Sequence, residues 1–167
     1  MMTPLIGFAP DGDSTTPGVI TDCSQLVPSI AGMQAAPSAV SASGVPALAD
    51  ACQGAAVLTR MDNSRRIIAG TDSALYELLG GAWVDQSAAG GYSGGADSRW
   101  SLAQYGDSTV AANGAKPIQR SDSGAFAAIS GAPVARIVFT VGAFVMALNT
   151  TEASDQWYCC AAFDVAD

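Results

Sequence analysis

Residues 67–87, IIAGTDSALYELLGGAWVDQS, and residues 109–130, TVAANGAKPIQRSDSGAFAAIS, are two versions of one pattern. Ile67-Ile-Ala-Gly stands opposite Thr109-Val-Ala-Ala-Asn, and Ala74-Leu-Tyr-Glu-Leu stands opposite Pro117-Ile-Gln-Arg-Ser. Ala82-Trp-Val-Asp-Gln-Ser87 matches Ala125-Phe-Ala-Ala-Ile-Ser130, which places Trp83 and Phe126 at an offset of 43. The apolar runs are short. They are cut by Gly80-Gly81 in one version and by Asn113-Gly114 and Asp122-Ser123-Gly124 in the other, residues that tolerate positive φ or bond their own backbone. Runs of this length between such turns read as strands. The pattern continues: Ser101-Leu-Ala-Gln-Tyr-Gly106 followed by Val110-Ala-Ala-Asn113 resembles Ile137-Val-Phe-Thr-Val-Gly142 followed by Met146-Ala-Leu-Asn149, at an offset of 36.

A unit of about forty residues with four short strands is how a β-propeller blade reads in sequence, since each blade is one twisted antiparallel sheet. The expected fold is therefore all-β: an incomplete propeller-like array of short antiparallel sheets over 56–167, about two and a half repeats of ~40 residues. A β-sandwich whose strands share their spacing by chance is the alternative. Blades are legible at 57–87 and 99–130, and a third opens at Ala135. Trp83, Phe126 and Phe163 are the aromatics expected between neighbouring blades. A propeller usually needs at least four blades to close. This array should leave sheet edges and an apolar blade face bare, to be completed by more chain or by other chains.

Residues 1–55 read differently. Pro4, Pro10, Pro17, Pro28, Pro37 and Pro46 forbid a long helix and remove ladder donors, which predicts an extended Pro/Gly-rich arm with one or two short strands near Gly18–Cys23. The arm is apolar enough to prefer lying on another surface, its own domain or a neighbouring chain. PALADACQGAAVL, 46–58, is the best helix candidate, but Gly54 interrupts it, and the alternative is that it leads into a strand.

Composition removes most chemistries. Hydrophobic residues are 49% of the 167 and charged ones 13%, so the chain is expected to fold. It has no histidine, which excludes Ser-His-Asp and Cys-His pairs and every His-ligated metal site. Seven basic against fifteen acidic residues give a net charge of −8, which repels phosphate backbones and acidic lipid. Met1–Pro10 has neither a basic start nor a long apolar run, so no signal peptide or membrane anchor is expected, and a cytoplasmic origin follows. Cys23, Cys52, Cys159 and Cys160 form no CxxC pair and read as small buried apolar residues.

The remaining motifs read as structure. Asp11 and Asp13 alternate as in a calcium loop but lack the later bidentate Glu, leaving an Asx-type turn. Ser121-Asp122-Ser-Gly-Ala-Phe126 is close to the aspartate-box turn of sialidase propellers, with its Ser-Asp spacing one residue short. That raises glycan hydrolysis or binding as a second class of function, which needs converging arginines, a tyrosine nucleophile and an acid. Tyr76, Tyr92, Tyr105 and Tyr158 sit instead at repeat positions. Gly90-Gly-Tyr-Ser-Gly-Gly95 lacks the Lys and Ser or Thr of a phosphate loop and reads as a flexible blade connection. Arg65 and Arg66, the adjacent basic pair, read as a solvated hairpin tip, with an acidic neighbour or a channel lining as the sharper alternatives.

RIIAGTDSALYEL, GAWVDQS, RWSLAQYGDSTVAANG, AKPIQRSDSGAFAAIS and ARIVFTVGAFVMALN resemble the amino-terminal part of a family of structural proteins from tailed-bacteriophage tails. The opening PLIGFAPDGDSTTPGVITDC is similar to that family's leading segment. The resemblance implies a virion component of the tail tube, nozzle or hub kind, built on propeller-like sheets and assembled as a ring in the host cytoplasm. It implies no catalysis, no cofactor, no metal and no membrane. Its partners would be copies of itself and other virion tail proteins, with genomic DNA passing a lumen whose acidity lets the polymer slide. Trp83, Trp100, Phe126, Trp157, Arg65 and Arg66 are the candidate interaction residues. A carbohydrate-binding or glycosidase-type propeller of a receptor-recognition protein is the alternative, and a cellular all-β scaffold a third.

Overall fold

The computed structural model describes residues 7–8, 11–13, 15–22, 24–29, 32–36 and 40–160. Phe163 and Cys23 lie outside the described residues; of the other cysteines read as buried, Cys52 and Cys159 are exposed and Cys160 is half-buried. The fold is all-β, with no helix among the described residues. The chain divides into two compact units, Met1–Ala42 and Ser43–Asp167. In the first, β1 (Gly7–Phe8) runs parallel to β2 (Val19–Ile20), and β3 (Leu26–Ser29) pairs antiparallel with β4 (Gly32–Ala35).

The second unit is a series of antiparallel meanders. The first sheet holds β5 (Gly54–Thr59), β6 (Arg65–Gly70), β7 (Leu75–Leu79) and β8 (Ala82–Asp85) in that order. The middle sheet holds β9 (Ser101–Tyr105), β10 (Ser108–Ala112), β11 (Gln119–Ser121) and β12 (Ala127–Ala128). The last sheet holds β13 (Ala135–Val141), β14 (Phe144–Thr150) and β15 (Trp157–Cys159). Of the two readings of 46–58, the one that leads into a strand holds: Gly54–Thr59 is β5, and no helix forms there. There Ala56 and Leu58 turn inward at a period of two while the backbone completes a ladder with β6. That gain outweighs the weak helix propensity of a stretch carrying Gly54.

The pairing registers relate the sheets residue by residue. Ala56 pairs with Ile68, Ala103 with Val110 and Phe139 with Met146. Ile68, Val110 and Met146 therefore occupy one equivalent position in successive sheets. The tight turns Gly106-Asp107 and Gly142-Ala143 coincide under the same relation, with Gly106 at φ 58° and Gly142 at φ 57°. A glycine with positive φ at the first central position is what a two-residue hairpin of the II′ kind requires.

Stacking of faces makes the core. Leu58, Ile68 and Leu75 of the first sheet meet Ala111 and Phe126 of the middle one, with Tyr92 and Trp100 supplied by the connection between them. Ala103, Val110, Ala112 and Ile118 of the middle sheet meet Val138, Val145 and Ala147 of the last. Strand β10 is buried along its whole length because its alternate residues serve both interfaces. Full burial of a side chain such as Ile68, Leu75 or Val110 contributes about 1.5–3 kcal/mol.

Trp100 locks the first of these interfaces. Its ring lies so close over Gly70 that a Cβ there would stand 2.2 Å from Cδ1, and its indole N–H donates to the Thr71 carbonyl at 2.7 Å. Tyr92 packs edge-on against it, with centroids 4.8 Å apart. The glycine-rich connection read as flexible is in fact tied down: Tyr92 N–H donates to Ser73 O at 2.9 Å and Gly94 N–H to Asp72 O at 3.1 Å.

Candidate functional site

The structure separates the candidate interaction residues into an interior and an exterior group. Trp100 and Phe126 are buried between the first two sheets. Trp83, at the position equivalent to Phe126, is half-buried, and its indole N–H donates to the Pro46 carbonyl at 3.0 Å. Arg65 is exposed. Trp157 is 63% exposed.

Arg66 is not a solvated tip residue. Strand β6 begins at Arg65, so the alternation of the strand carries Arg66 onto the inner face, where it is 3% exposed. Its Nε and Nη2 donate to the two carboxylate oxygens of Glu77 at 2.7 and 2.8 Å. Nη1 donates to Thr109 Oγ1 and Ser121 O, each at 3.1 Å, and Nη2 to Ser121 Oγ at 3.2 Å. Its guanidinium carbon stands 5.9 Å from the Phe126 ring centroid. All five guanidinium protons are thus engaged, three of them by the middle sheet. The residue clamps two sheets of this chain together.

The aspartate-box-like turn is also held from within. Asp122 accepts from Arg120 Nε and Nη2, each at 3.0 Å, and from Ser108 Oγ at 2.5 Å. These hydrogen bonds, Arg120's first, hold its carboxyl below the usual carboxylate range. Ser121 Oγ donates to Gly124 O at 2.7 Å, and the Asp122 carbonyl accepts from Arg60. The tyrosines are dispersed through the stack. Tyr92 accepts from Ala88 N–H, and burial pushes its phenol up. Tyr105 O–H donates to Ala143 O at 2.8 Å, and Tyr158 lines an apolar cavity of ≈ 330 Å³ with Ile118, Ile129, Pro133 and Val145.

Asp13 accepts from the backbone N–H and hydroxyl of Thr15 at 2.9 and 2.8 Å, an Asx-type turn that lowers its pKa. No group of three His, Cys, Asp or Glu side chains among the described residues is placed to hold a metal ion. No helix among them is long and apolar enough to cross a membrane.

One surface remains that none of these internal contacts accounts for. On the outer face of the last sheet, Ile137, Leu148 and Trp157 form one cross-strand row, and Phe139, Met146 and Cys159 the next. Val141 and Phe144 form the third. No charged side chain stands in these three rows, and their polar atoms are the Trp157 indole N–H and the Cys159 thiol. Ile137 is 46% exposed, Val141 52% and Phe144 40%. The sequence did carry its signal. Ala135, Ile137, Phe139 and Val141 with Phe144, Met146 and Leu148 are an unbroken apolar parity, while the opposite one mixes Val138, Val145 and Ala147 with Arg136, Thr140 and Asn149. The opposite parity supplies Val138, Val145 and Ala147 to the core, and Asn149, at φ 50°, ends the alternation so that Thr150 turns inward.

No protein-family model matches the chain, and no similar curated protein is found.

Proposed function

We propose that the protein is a non-enzymatic structural component of a tailed-bacteriophage virion, a tail tube, nozzle or hub protein that assembles into a propeller-like ring and contacts neighbouring tail proteins. The observation that carries this reading is the exposed apolar outer face of the last sheet, which no other sheet among the described residues covers, at the end of a series of stacked sheets. A contiguous apolar patch of that kind is characteristic of an association surface. The sequence resemblance to tail structural proteins supplies the class of assembly. The net charge of −8 suits a lumen that DNA traverses without being retained by counterion release.

Quantitative mass spectrometry of purified phage particles tests the reading. The chain should be found there, alone or within a longer polypeptide, at a copy number that is a multiple of a ring. Its absence from particles that carry the other tail proteins would contradict it.

A further inference from the structure

We propose that the open face of the last sheet docks onto the outer face of the first sheet of a second copy, head to tail, so that each copy continues the stack begun by the one before. The partner surface is identified by the internal repeat. Under the register relation, Ser101, Ala103 and Tyr105 of β9 correspond to Ile137, Phe139 and Val141 of β13, and Ser108, Val110 and Ala112 of β10 to Phe144, Met146 and Leu148 of β14. The first set is the face of the middle sheet that the last sheet covers: Ala103, Val110 and Ala112 pack on it, Ser101 Oγ bonds Val138, and Tyr105 reaches Ala143. The open face is thus the one that, one sheet earlier, is covered by the next sheet of the repeat.

The covering surface is equally defined. The last sheet covers the middle one with Val138, Thr140, Val145 and Ala147. The equivalent positions of the first sheet are Ala55, Val57, Ile67 and Ala69, which match the aliphatic Val138, Val145 and Ala147 in character and put Val57 where the last sheet has Thr140. Val57 is 60% exposed and Ile67 36%, whereas Ala69 is buried. One molecule therefore carries both halves of an interface it already makes internally. Such a contact is heterologous and yields a ring if its rotation closes and a filament if it does not. The inference deepens the structural reading above and rests on it in taking self-assembly as the purpose of the face.

The test is sedimentation velocity on the purified chain over a range of concentration, with Phe139→Asp marking the open face and Val57→Asp the covering one. Wild type should grow in mass with concentration, and each variant alone should stay monomeric, its association weakened about tenfold or more. An equimolar mixture of the two variants should form one-to-one pairs and stop there, because only one intact front and one intact back remain. Pairing requires both variants to be folded. Wild-type Cys159, on the open face, should lose reactivity toward an alkylating reagent as mass increases, which needs no variant at all. A wild-type monomer at every concentration, variants that cannot complement one another, or Cys159 equally reactive in the oligomer would overturn the inference. Head-to-tail pairing by a chain absent from virions would keep it and remove the virion reading. A virion protein that is monomeric in isolation would do the reverse.

Discussion

Arg66 and Glu77 meet diagonally across β6 and β7, Nε to Oε1 at 2.7 Å, with side chains only 2% and 7% exposed. Removing one partner leaves the other charge buried and uncompensated, which typically costs 3–5 kcal/mol. Glu77→Ala should therefore lower unfolding free energy by about 3 kcal/mol or more in urea denaturation. The paired replacement Arg66→Met with Glu77→Leu should recover most of that loss. A single variant as stable as wild type would show that the clamp does not hold the first two sheets together.

Gly70 depends on Trp100 in a different way. Its missing Cβ is the space that the indole fills. Gly70→Ala should destabilise by about 1–3 kcal/mol through forced displacement of the ring. The shift should also appear as a red-shifted tryptophan emission, since Trp100 is the buried member of the three tryptophans. Unchanged stability and emission would place the ring elsewhere.

Gly142 sits at φ 57° in the turn that joins β13 to β14. Gly142→Ala forces a side chain into that conformation and should cost about 1 kcal/mol, read as a lower denaturation midpoint with unchanged slope. Gly106→Ala should cost a similar amount, because the two turns are equivalent. Unequal effects of several-fold would argue against the equivalence.

Asp122 gives the stability a dependence on acid. Its carboxyl is held low by Arg120 and Ser108, so its contribution is present above the unfolded value near 3.9 and is lost as pH falls through the lower folded value. The side chain is 58% exposed, and solvent screening keeps the contribution below about 1 kcal/mol. Carboxyl-detected NMR should find Asp122 titrating below the ordinary aspartate value near 3.9, and Asp122→Asn should flatten part of the loss of stability below about pH 4. An ordinary titration at Asp122 would remove the prediction.

The strands were legible where alternation or turn chemistry was strong. The match of Ile67-Ile-Ala-Gly to Thr109-Val-Ala-Ala carries Ile68 onto Val110, the equivalence that the strand registers also give. For Arg66 the acidic-neighbour reading holds over the favoured solvated tip; its partner Glu77 is eleven residues away and its other partners belong to another sheet, so nothing local distinguishes a clamp from a solvated turn. Between helix and strand, 46–58 is undecided in the sequence for a related reason: its small residues fit either conformation, and the ladder with β6 decides for the strand. The open face was present in the sequence as the more apolar parity of β13 and β14, and that this parity lies outward is set by packing.

Cryo-electron microscopy of the assembled protein tests the central claim most directly. Ile137, Phe139 and Met146 should be found under a further sheet at about 10 Å, the ordinary separation of packed sheets, contributed by Val57 and Ile67 of the adjoining copy. An assembly in which that face remains open to solvent, its copies joined elsewhere, would contradict it.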